Sequence, residues 1–196
     1  MMADDRTNMA REPRAKRGAG KGSRGFLRNR KGATAVEFAL VAVPFFWLMC
    51  GLAENGLIFY TQSNLDFAMM ETQREIRTGQ VQVQNLSKDN LKTLVCNKMT
   101  SLGTINCPLN LSLDVRSFPD FAALDAPNVT TGDKVDEKKL SFSPGDPSNV
   151  VLVRGYYTWS LITPIISKPM ANLGTKTRLL ASTALFVNEP YSKPSS

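Results

Sequence analysis

Apolar residues fall in three regimes along this chain. From Phe38 to Ala53 sixteen residues pass without a charge, and Leu57, Ile58 and Phe59 carry the apolar character beyond Glu54 and Asn55. A helix over residues 38–58 would rise about 30 Å, the thickness of the hydrocarbon core of a bilayer. Pro44 lies inside it and removes one backbone donor, which predicts a kink or loosening about a turn earlier. Past Tyr60 the pattern changes. Leu65, Ala68, Met69 and Ile76 recur every three to four positions, with Gln62, Asp66, Glu71, Gln73, Arg74 and Arg77 between them. That spacing marks one buried face of a helix. The simplest structure is a single helix from about Thr34 to Thr78, its first half in lipid and its second lying on a globular domain, stopped by Gly79.

The third regime is shorter in period. Ser87 reads as the N-cap of a helix through about Ser101, with Leu91, Leu94, Val95 and Met99 on its apolar side. Three runs then show alternation or enrichment in β-branched and aromatic residues: LSLDVRSF (111–118), VVLVRGYYTWSLI (150–162) and TRLLASTALFV (177–187). Residues 119–149 hold four prolines and many polar residues, so they read as loop with a short helical turn at FPDFAAL. Long helix first and strands later is an α+β plan, the helix covering the apolar face of an antiparallel sheet of three or four strands.

Charge changes this picture at one end only. Residues 1–32 contain ten Lys or Arg against three acids, and residues 33–196 contain fourteen of each, so the formal net charge of +7 belongs to the N-terminal segment. That segment is almost free of apolar residues before Phe26 and reads as disordered. Its fragment GAGKGS lacks the Ser or Thr after the lysine, and the preceding strand, that a phosphate loop needs. A basic block directly before an apolar span orients it with the N-terminus in the cytoplasm and the rest exported. The charge serves orientation, and nucleic acid is discounted as a partner.

Rival readings of the span fit less well. A cleavable secretory signal is shorter and ends in a small-x-small site. A lipoprotein signal at Cys50 would not carry Leu48 and Met49 before the cysteine, and a buried helix of a soluble protein would lack the basic flank.

The chain contains no histidine, which removes the commonest general base and metal ligand. No nucleophile-elbow pattern is present, and no enzyme, metal or cofactor is expected. Cys50 lies in the span, where a thiol behaves as a small hydrophobe. Cys96 and Cys107 fall in the exported part, and an oxidising compartment favours a disulfide between them.

The segment Gly32, ATAV, Glu37 and Phe38, followed by the apolar span, resembles the processing site of type IV prepilins in the form found in tight-adherence systems. GATAVEFALVAVPFFWLMCGLAENGLIFY is similar to the membrane segment of TadE-like pseudopilins, Pro44, Glu54 and Gly56 included. The later TGQVQ, DVRSFPDF, SFSPGDPSNVVLVRGYYTW and RLLASTALFVNEP also look like that family's exported part. The basic leader is longer than that of major Flp pilins, and the exported part far larger, which favours a minor pseudopilin.

The resemblance implies a pilin-like α+β fold in three parts: a cytoplasmic leader, residues 1–32, removed on processing; a transmembrane helix, residues 33–60; and an exported, periplasmic domain, residues 61–196. It implies cleavage between Gly32 and Ala33 by an inner-membrane prepilin peptidase. Glu37, beside Phe38, would then pair with the freed amine of Ala33 on a neighbouring subunit. The implied partners are that peptidase, a sister minor pseudopilin, the pilus assembly platform, the major Flp pilin and the inner membrane. Incorporation in the pilus or its tip is a further expectation. Glu54 reads as an interfacial acid near the far side of the membrane. The alternatives are an unprocessed single-pass anchor presenting an envelope-binding domain, and a membrane-tethered enzyme whose site the residues do not reveal.

Overall fold

The computed structural model describes residues 30–99, 106–163 and 167–192. All of the expected basic leader but its last three residues lies outside them. The chain divides into two compact units, residues 1–46 and 47–196. Helix α1 (Arg30–Arg77) belongs to both and runs through Pro44. In the first unit the described residues are helical, and their apolar side chains are exposed, Phe38 and Leu40 to 71%.

In the second unit α1 acquires a buried face. Gly51, Glu54, Ile58, Thr61, Leu65, Ala68, Met69, Thr72 and Ile76 are buried, a run with the three-to-four spacing of a packed helix seam. The Thr61 and Thr72 hydroxyls donate to the carbonyls of Leu57 and Ala68 one turn back, so neither is buried without a partner. Arg74 and Arg77 stand in the last turn, where positive charge is favoured by the helix dipole.

Gly79, at φ 78°, ends α1 in the left-handed conformation, as the sequence predicts. The short α2 (Gln80–Val83) follows, then α3 (Lys88–Lys98), whose N-cap Ser87 accepts a hydrogen bond from the Asn90 amide at 3.2 Å. The helix ends three residues before the expected Ser101. A single turn, α4 (Cys107–Asn110), leads into β1 (Leu111–Phe118).

The sheet has the order β1–β4–β5, with β4 (Val150–Ser160) in the centre and β5 (Thr177–Val187) beyond it, all antiparallel. Between β1 and β4 runs a segment that is loop apart from a two-stranded ribbon, β2 (Thr130–Thr131) with β3 (Lys134–Val135), and turns at Phe121–Ala123 and Glu137–Lys139. Another single turn, α5 (Ser167–Met170), precedes β5. A partial fourth rung flanks β1: Val115 donates to the Ser141 carbonyl at 2.9 Å and accepts from the Ser143 amide at 2.8 Å. The expected three or four strands are thus three long ones and one bridge.

Alternation along β4 explains the core. Val151, Val153, Tyr157 and Trp159 join the cluster that holds Leu65, Met69, Ile76, Leu91, Val95, Leu113 and Phe186. Gly155 stands among them because Met69 occupies the space: a Cβ there would lie 2.7 Å from the Met69 sulfur. On the alternate positions Leu152, Arg154 and Tyr156 are also buried, so the central strand is covered on both sides.

Candidate functional site

Gly32 lies in the first turn of α1, where backbone N–H groups have no partner four residues back. Ala33, Glu37 and Phe38 follow on the same helix, and all three are exposed. Ala33 and Glu37 are four residues apart, so they share a face one turn from each other. In this unit Val36, Val41, Val43, Phe45 and Phe46 are exposed as well, at 54–70%. So much bare apolar surface needs a non-aqueous neighbour. The segment Gly32–Arg77 contains a stretch apolar and long enough to cross a membrane.

Glu54, which the sequence reads as an interfacial acid, is 3% exposed and held by the protein itself. Its two carboxylate oxygens accept hydrogen bonds from consecutive backbone amides, Ile162 and, at 3.0 Å, Thr163. A buried carboxylate without donors would cost several kcal/mol, on the order of the penalty for an unpaired buried ion. These two bonds tie the turn of α1 that follows the uncharged run to the chain just beyond β4.

A second charged group was also missed. Asp114 on β1 is fully buried and faces Arg154 across the ladder. Arg154 donates to it through Nη2 at 2.6 Å and Nε at 3.1 Å, Arg116 through Nε at 3.0 Å, and the Ser141 amide at 2.7 Å. Burial by itself would raise the Asp114 carboxyl, but the Ser141 amide and the two guanidiniums outweigh it and hold the group below its ordinary value. Arg154 also donates to the Pro127 carbonyl at 3.0 Å and lies 5.8 Å from the Tyr156 ring centre. The network binds the proline-rich segment to the sheet and has the composition of a structural clamp. Its signal was in the sequence: Asp114 and Arg116 sit mid-strand in LSLDVRSF and Arg154 in VVLVRGYYTW.

Cys96 and Cys107 are joined in a disulfide, and Cys50 is a free, exposed thiol. The bond fastens α3 to the turn before β1. Asp120 of SFPDF caps its own turn, accepting from the Ala123 amide at 2.9 Å, while Glu189 of NEP pairs with Arg77 at the end of α1 at 3.1 Å.

No curated protein and no solved structure matches this chain. The family model described as TadE-like protein matches residues 32–74, from the candidate cleavage glycine to the last turn of α1, so the N-terminal helix is similar to that of TadE-like proteins.

Proposed function

We propose that this protein is a minor pseudopilin of the tight-adherence (Flp) pilus system, processed after Gly32 and needed for assembly of the filament. The observation that carries the reading is the family match on residues 32–74, which begins at Gly32 and contains the exposed, apolar part of α1. That match implies involvement in the tight-adherence pilus system; the minor-pseudopilin role, processing and partners are our extension of it.

The mechanism follows from the residues. The uncharged run anchors the chain in the inner membrane, and the basic block keeps the N-terminus in the cytoplasm. Cleavage frees the amine of Ala33 next to the apolar surface. In a bundle of such helices the Glu37 carboxylate of one subunit meets that amine on another, a charge-assisted pair in a medium of low dielectric. One axial register then satisfies both charges, which is the use of a buried polar group best attested in helix assemblies. The role is structural and not catalytic. The prepilin peptidase, a sister pseudopilin, the assembly platform and the major pilin are the proposed partners.

The test is the mature N-terminus. Co-expression with a competent prepilin peptidase, followed by mass spectrometry of the membrane form, should give a chain beginning at Ala33. A chain still carrying residues before Gly32 would favour the unprocessed anchor.

A further inference from the structure

A helix that only crosses a bilayer has lipid on every side, whereas α1 has lost one side to the protein by Gly51. From Ala33 to the residue before Glu54 a helix rises roughly 30 Å, which already equals the hydrocarbon thickness. The outer boundary of the hydrocarbon would then lie at Glu54, not at Tyr60.

Glu54 does not stand at that level alone. Its carboxylate holds the amides of Ile162 and Thr163, so this stretch of chain is fixed at the same height on the helix. Leu161 is tied in turn by its amide to the Lys176 carbonyl at 2.8 Å, and the Ser167 amide, opening α5, reaches the Thr163 carbonyl at 3.1 Å. Ile162 is nevertheless 72% exposed, while its neighbour Trp159 is buried. Near it along the chain stand two exposed lysines, Lys168 and Lys176. On α1, between one and two turns past Glu54, Phe59 and Tyr60 are exposed at 65% and 48%. Exposed apolar and aromatic residues edged by lysines match the interfacial zone of a membrane.

We infer that Leu161–Thr163 forms a juxtamembrane foot that rests in the headgroup region of the outer leaflet, with the Ile162 side chain in lipid and Glu54 as the residue that positions it. The occupant is the phospholipid surface, because the foot is bonded to the helix turn that leaves the hydrocarbon. Burying the Glu54 carboxylate under the foot removes it from the acyl boundary, where an unpaired acid is unfavourable. The inference rests on the reading of α1 as a membrane span.

Depth-dependent quenching tests it on the full chain. The protein is reconstituted in vesicles of phosphatidylethanolamine and phosphatidylglycerol, with Cys50→Ala and the Cys96–Cys107 disulfide kept oxidised. An environment-sensitive fluorophore is placed singly by Ile162→Cys, Leu48→Cys or Lys138→Cys. Ile162 should be quenched most by a spin label carried near the headgroup, Leu48 by one deep in the acyl chain, and Lys138 by neither. Quenching at Leu48 with none at Ile162 overturns the foot and leaves the span standing. No quenching at Leu48 overturns the span, and the foot with it. Adding Glu54→Ala should abolish quenching at Ile162 and leave Leu48 unchanged; retained quenching at Ile162 overturns the positioning role of Glu54.

Discussion

Asp114 and Gly155 show how single residues hold the α+β part of the chain together. The Asp114 carboxyl lies below its ordinary value when folded, so within that window the unfolded chain binds the extra proton. Its stabilisation is present above the unfolded value and is lost as pH falls through the folded one. Urea unfolding followed from neutral to strongly acid pH should therefore show a loss of stability below the usual carboxylate range, with a flatter profile in Asp114→Asn. At neutral pH, Asp114→Ala should cost about 3–5 kcal/mol, since it leaves the Arg154 guanidinium buried without its carboxylate. Gly155 is a limit of space and not of backbone conformation. Gly155→Val should destabilise by about 1–3 kcal/mol in the same measurement, through overpacking against Met69.

Among the elements, α1 carries two kinds of burial in one helix. Its exposed apolar turns were legible because sixteen uncharged residues behind a basic block have the length and flank of a membrane span, and its packed face because Leu65, Ala68, Met69 and Ile76 keep the helical period. The strands β1 and β5 coincide with the predicted runs, and β4 ends two residues earlier, where the chain turns toward Glu54. The disulfide joins α3 to the single turn of α4. Reducing it, or Cys96→Ala with Cys107→Ala, should lower the unfolding free energy by about 2–3 kcal/mol, read as a shift in the urea midpoint. Non-reducing mass spectrometry of the same sample checks that the bond was present.

At the scale of the whole molecule the separate parts make distinct demands. In the proposed function the span and its basic flank set insertion, and Gly32 and Glu37 set what happens afterwards. Glu37→Ala should insert and be processed like the parent chain, both visible on a membrane fractionation blot, while pilus formation counted by electron microscopy is lost. Retained pili would remove the assembly contact from the proposal and leave membrane anchoring in place.

The sequence by itself determined the uncharged run, the helical period after it, the three strand runs and the candidate cleavage site, because each depends on residues near one another in the chain. It also marked Cys96 and Cys107 as the disulfide pair. Only tertiary structure decided what Glu54, Asp114 and Gly155 do. Glu54 meets amides 108 and 109 residues away, and Asp114 meets Arg154 at a separation of 40. No local period encodes such partners: a lone acid has the same sequence neighbours whether water, lipid or a backbone amide will surround it, and the strand register and helix packing make that choice.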